Sequence, residues 1–279
     1  MPKSIRIGDG IVKDIALIVV LFVLLVPSIA YPAFERMVSD PQAMGMGQVG
    51  MLTRRSGGFL SNPALGYGPS LGVWWEQPYG LKELQSERLV ASLPVRNIGL
   101  GVSLSRMGDD IYQEQSALIS GCTPLSDRVM IGLSAAANIV RISGLPTGRA
   151  AVFNAGAIGE ITESITAGFA WNNFTRSSLS NYQDELPTSL GIGALAQVDE
   201  TTRLGVEAEQ PRGFPMELRV GVSNQVLKQL TVRAGARFNP SEYTAGFSVK
   251  HRAASLHYAL LWHGELGASH TIGFDLFFR

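Results

Sequence analysis

SHTIGFDLFFR, residues 269–279, sets Ile272, Phe274, Leu276 and Phe278 against Thr271, Gly273, Asp275 and Phe277. Side chains of a strand point alternately to opposite faces, so one face here is apolar and the other small or polar until the final aromatic. The segment before it repeats the pattern, with Leu256, Tyr258, Leu260 and Trp262 against His257, Ala259 and His263. A soluble sheet can alternate in this way. Two further facts decide otherwise: the alternation recurs along most of the chain, and the chain opens on an export signal. The fold class is all-β, a transmembrane antiparallel barrel of about 14 strands, closed by this last strand.

The export signal is residues 1–30. Lys3, Arg6 and Lys13 form a basic start, an apolar run follows from Ile15 to Val26, and Ser28, Ile29 and Ala30 end it with small residues at the cleavage positions. The run falls short of the ~20 residues a spanning helix needs, and no later stretch is long and apolar enough. Net charge is zero, so no nucleic-acid partner is implied. Cys122 is the only cysteine, which rules out an internal disulfide and a cysteine-based zinc cluster. The 31 glycines of 279 residues exceed the average share of roughly 7%. They sit inside alternating segments, where a barrel uses them for curvature or a crowded lumen.

Alternation begins at Ser70. Leu71, Val73 and Trp75 share a face, as do Ile98, Leu100, Val102 and Leu104, then Ile165, Ala167, Phe169 and Trp171, and so on to the closing pair. Segments 84–94, 111–123 and 150–160 are less clean but bounded by turns. Tight turns such as 94–97, 199–201 and 252–253 alternate with longer connections such as 78–83, 143–149 and 174–186. Outer-membrane barrels keep short turns in the periplasm and longer loops outside. Trp75, Trp171, Phe238, Tyr243 and Trp262 fall near the loop-side strand ends, as an interfacial aromatic girdle requires. The domain division is therefore 1–30 signal peptide, 31–69 an N-terminal periplasmic or hatch segment, and 70–279 barrel.

With the apolar set toward lipid, the charged residues Arg203, Glu207, Glu217, Arg219, Arg233, Arg237, His257 and Asp275 face the lumen, because a charge on the lipid face costs roughly 2–4 kcal/mol at mid-membrane. The turn positions set Glu207 opposite Arg219 and Glu217 opposite Arg237, a register good to about two residues. Such pairs brace the wall or form a selective polar patch. His257 and Asp275 lie on adjacent strands. No serine or aspartate is distinctly placed as nucleophile or base, and no metal-ligand spacing appears, so neither an enzyme nor a cofactor is expected.

Residues 31–69 lack alternation. Gly45, Gly47 and Gly50 spell G-x-G-x-x-G, but no strand precedes them and no βαβ unit follows, so the nucleotide reading fails. Ala43-Met44-Gly45-Met46-Gly47, then Asn62-Pro63-Ala64 before the first strand, resemble the FadL-like outer-membrane barrels, and more closely their PorV/PorQ-type relatives. Residues 185–188 and 266–270 also look like the PorV-type pattern. The resemblance implies 14 strands and a hatch inside the barrel that contains Gly45, Gly47, Asn62, Pro63 and Ala64. The chain has shorter loops than typical members and ends on Arg279 rather than an aromatic, with Phe277 and Phe278 beside it. The expected function is passive admission of small hydrophobic molecules past the hatch. The alternative is an accessory barrel that binds or shuttles exported proteins at the cell surface. The expected location is the outer membrane. Its lipid, the barrel-assembly machinery, and a hydrophobic small molecule or exported protein are the expected partners.

Overall fold

A computed structural model describes residues 33–34, 40–66, 68–182 and 185–278. The signal-peptide assignment of residues 1–30 lies outside the described residues. Fourteen strands form the barrel: β1 (Ser70–Gln77), β2 (Ser86–Val95), β3 (Ile98–Gly108), β4 (Tyr112–Ser126), β5 (Val129–Ile142), β6 (Gly148–Glu160), β7 (Ile165–Asn172), β8 (Ser189–Gln197), β9 (Thr202–Pro211), β10 (Glu217–Leu227), β11 (Leu230–Phe238), β12 (Glu242–His251), β13 (Ala254–His263) and β14 (Gly267–Phe277). Each pairs antiparallel with its sequence neighbour, and β1 pairs with β14, so the sheet closes and leaves no edge. The opening stretch is thus the closing strand, with Trp75 opposite Ile272 and Val73 opposite Phe274.

The outer face carries the apolar set: Val102, Leu133, Ile192, Val206, Tyr243, Trp262 and Phe274 are all exposed. The inner face carries serines, asparagines, glycines and charges. Turns at one end, including Arg96–Asn97 and Arg252–Ala253, are short, while the other end holds the longer loops. The three weakly patterned segments are β2, β4 and β6, each a full strand. Their alternation is blurred for opposite reasons on the two faces. Val90, Leu118 and Val152 are apolar residues facing inward, and Glu87, Gln113, Gln115 and Arg149 are polar residues facing outward. At the loop end, β6 runs seven residues beyond its pairing with β7, which stops at Ala155–Trp171. The loop after β7 completes that edge: Phe174 N–H donates to Phe153 O at 3.0 Å and Ser180 N–H to Arg149 O at 2.8 Å.

Residues 40–66 lie inside the barrel. Asp40 caps α1 (Pro41–Gly45), accepting from Gln42 N at 2.7 Å and Ala43 N at 3.3 Å, with Pro41 at the first position, where its missing N–H costs nothing. Two 3-10 turns follow, Gly58–Leu60 and Pro63–Leu65. Asn62 caps the second through Ala64 N at 3.0 Å. Arg55 ties the segment to itself. Its guanidinium donates to Gly50 O and Thr53 O, both at 2.8 Å, to Ser61 Oγ at 3.2 Å, and to the Asp40 carboxylate in a buried ion pair.

Candidate functional site: the filled lumen

The inner segment fits because the wall facing it is made of glycine. A Cβ on Gly221 of β10 would stand 2.1 Å from Met46 O. On Gly235 of β11 it would lie 2.3 Å from Gly47 N, and on Gly132 of β5, 2.4 Å from Pro63 C. On Gly156 of β6 it would meet Asn62 Oδ1 at 1.9 Å. Gly205, Gly191 and Gly168 similarly receive Val49, Met51 and Leu52. The glycines form a belt that follows the segment around most of the circumference. Each anticipated hatch position rests on it: Gly45 against Gly246, Gly47 (φ +70°) between Val220 and Ala236, and Asn62, Pro63 and Ala64 against β5 and β6. Asn62 is fully buried and donates to Ala157 O at 3.3 Å and Phe169 O at 3.1 Å.

Side chains of the wall then staple the segment. Gly47 N–H donates to Thr244 Oγ1 at 2.7 Å and Met51 N–H to Glu207 at 2.6 Å. Gln48 donates to Glu242 at 2.8 Å, Arg233 to Gln42 at 3.1 Å, and Ser56 to Asp275. Asp275 also accepts from Trp74 Nε1 at 3.0 Å. His257 Nε2 lies 3.0 Å from Asp275, and His257 Nδ1 is 2.6 Å from Ser248 Oγ, which accepts from Arg233 at 2.6 Å. A serine, a histidine and an aspartate therefore stand in a row, with Ser248 and Asp275 already occupied by donors.

The charged residues on β9–β12 form a ladder. Arg219 meets Glu209 at 2.6 Å and Glu217 at 2.7 Å, while Arg237 meets Glu217 at 3.5 Å and Glu242 at 3.0 Å. The register corrects one expectation. Arg219 is opposite Glu207 as anticipated, but Arg237 is opposite Arg219, and Glu217 reaches Arg237 diagonally. Glu207 leaves Arg219 to its neighbours because its carboxylate is taken by the Met51 backbone. Arg203 and Arg233 lie toward the short-turn end. Glu209, expected to face the lumen beside Glu207, does so; Asp40, Gln42, Gln48, Arg55 and Glu242 carried no expectation, and only the Asp-Pro pair at 40–41, a helix-start signal, marked any of them.

Two spaces remain. On the loop side a cavity of about 340 Å³ has one apolar side, with Phe34, Leu118, Val152 and Leu186, and one charged side, with Asp40, Arg88, Glu207, Glu209 and Arg219. Phe34 packs there among Ala136, Val140, Val152, Leu179 and Leu186, and its N–H donates to Glu114 at 3.0 Å. On the short-turn side are a cavity of about 150 Å³, lined by Arg54, Arg55, Arg203, Arg233 and Glu200, and one of about 660 Å³ sharing Arg54 and Arg203 with it. Ala43 lines both the loop-side cavity and the smaller turn-side one. There the partition is one residue thick.

Solved structures share this architecture. The CymD monoaromatic hydrocarbon channel superposes with a TM-score of 0.68 at 14% identity, over 88% of this chain and 99% of that one. The Ralstonia pickettii toluene transporter TbuX gives 0.64 at 11%, over 88% and 100%. A Pseudomonas aeruginosa FadL homologue gives 0.58 at 13%, over 87% and 99%. What they share with this chain is the fold. No protein-family model and no curated protein sequence matches the chain.

Proposed function

We propose that the chain is a passive outer-membrane transport protein that admits small apolar molecules past a hatch formed by the inner segment. The signal peptide is removed, the short turns face the periplasm and the loops face outward. Phe277 and Phe278 serve as the aromatic signal for barrel assembly. The observation that carries the reading is the loop-side chamber, apolar on the side of Phe34, Leu118, Val152 and Leu186, and separated from the smaller turn-side cavity at Ala43. A monoaromatic hydrocarbon channel and a toluene transporter support it through their common fold. The Ser248–His257–Asp275 row braces the hatch and is not catalytic. Exposed loop residues Ile111 and Leu145 (68% and 55%) favour the accessory-barrel alternative, since apolar loop tips suit a protein partner. The filled lumen favours transport.

Phe34 occupies the chamber as an apolar solute would. The test is saturable binding of toluene to the purified full chain by equilibrium dialysis, together with sugar flux through the chain in liposomes. Binding that tightens in Phe34→Ala, with no sugar flux, is the expected result. Absence of binding in both proteins refutes the transport reading and leaves pull-down of an exported protein as the next experiment.

A further inference from the structure

The outer wall of the barrel is not uniform at its loop end. On β7, β11, β12 and β13 the strands end in outward aromatics, Trp171, Phe238, Tyr243 and Trp262. On β2–β6 the apolar belt gives way to a row that is polar on every strand but β5, where the change comes one step higher. Glu87, Arg106, Gln115, Ile139 and Arg149 follow one another across five strands in direct register. One step higher, Gln113 faces Arg141. The row directly below is Leu89, Leu104, Ala117, Ala137 and Ala151. The change from aliphatic to guanidinium takes one step of the pleat.

The height of that step is informative. Outward residues of β5 are apolar from Val129 to Ile139, ten steps that rise ~33 Å along the strand and ~25 Å along the axis at a ~40° tilt. That is the thickness of a barrel's lipid-facing band, so Arg106, Arg141 and Arg149 stand at headgroup level. Arg141 is held flat to the wall, donating to Gln113 at 3.2 Å and Gln115 at 2.7 Å, with Gln115 bonded to no carboxylate. Among the described residues none of the three arginines has a carboxylate within ion-pair distance. The outward side chains of β3–β6 above the belt include no acid; Glu87 stands opposite Arg106 at the margin, and in the β3–β4 loop Asp109 spends its carboxylate on the Ile111 and Tyr112 N–H groups. Arginines therefore outnumber acids on this face, which sets forked donors above an aliphatic wall.

We infer that this face of β3–β6 is a binding site for the phosphorylated headgroup of a glycolipid in the outer leaflet, whose acyl chains lie on the aliphatic rows beneath. Guanidinium forks match phosphate oxygens bidentately, and the wall below supplies the apolar contact that a free anion would not use. The inference rests on the outer-membrane reading.

The test reconstitutes the full chain into phosphatidylcholine vesicles containing bis-phosphorylated lipid A or its dephosphorylated form, and measures glycolipid retained on the extracted barrel. The expected result is saturable retention of the phosphorylated form. It falls about tenfold for the dephosphorylated form and for the triple variant Arg106→Gln/Arg141→Gln/Arg149→Gln. Arg128→Gln/Arg252→Gln, at the short turns, retains it like the parent. Equal retention of both lipids, a triple variant that inserts and retains like the parent, or displacement by inorganic phosphate alone overturns the assignment. A chain that does not insert into vesicles overturns the membrane reading and this site with it, whereas one that inserts without phosphate preference overturns only the site.

Discussion

Replacing Gly221 by alanine tests whether the inner segment is seated as described. The added Cβ would lie 2.1 Å from Met46 O, 2.6 Å from Met46 Cγ and 2.7 Å from Met46 C. Ordinary contact begins at 3.4 Å, so Met46 must retreat by more than an ångström. The obstacle is backbone, which cannot swing aside as a side-chain tip would. Overpacking of this kind costs about 1–3 kcal/mol. The retreat also stretches the neighbouring Gly47 N–H to Thr244 bond of 2.7 Å, a further ~1 kcal/mol. The expected loss is therefore about 2–4 kcal/mol. Gly235, directly opposite Gly221, presses on the same Met46–Gly47 unit, so the double Gly221→Ala/Gly235→Ala variant should lose much less than the sum of the two. Gly121 on β4 is the control: it faces outward, and its nearest neighbour would be Leu100 Cδ2 at 4.0 Å. Urea unfolding in lipid vesicles, followed by tryptophan fluorescence, measures the parent, both single variants, the double and the control. Gly221→Ala with the stability of Gly121→Ala would refute the seating of the segment against β10.

Arg55→Met strands Asp40 as a buried, unpaired carboxylate and should destabilise the protein by about 3 kcal/mol; it should also turn sugar-impermeable liposomes leaky, as swelling rates would show. In the β8–β9 turn, Asp199 is held down to about 2, first by the Thr201 backbone N–H and then by the Thr201 hydroxyl and Thr202. A depressed carboxylate contributes stability above its unfolded value and loses it as pH falls through about 2, so the stability difference between parent and Asp199→Asn should shrink between pH 4 and 2. A difference constant over that window contradicts the turn geometry.

The barrel was legible because lipid outside and a polar lumen inside impose period-two alternation on every strand. Legibility failed where that premise fails. Leu118 and Val152 line the apolar side of the loop-side cavity, and Gln113 and Arg149 stand above the apolar belt, so β4 and β6 lost their contrast. The lumen face of Glu207, Arg219 and Arg237 followed from parity alone, whereas their partners depended on a register that parity does not set. The hatch residues came from resemblance; their seating could not be read, because the glycines that receive them are spread over most of the strands. Asp40 and Arg55 act across a fold of irregular backbone that has no period at all.

The glycine belt also bears on how the molecule is assembled. Ser56 bonds Asp275 across 219 positions of chain, and Gly47 bonds Thr244 across 197. Such distant contacts are slow to form. The segment that makes them is synthesised before any strand, and the closing β1–β14 seam flanks its Asp275 anchor. A ring shut first would have to receive 27 residues through one mouth into a lumen that fits them to within a methyl group. Closure of the wall around the segment avoids that passage, with the segment setting the girth as a mandrel sets that of a coil.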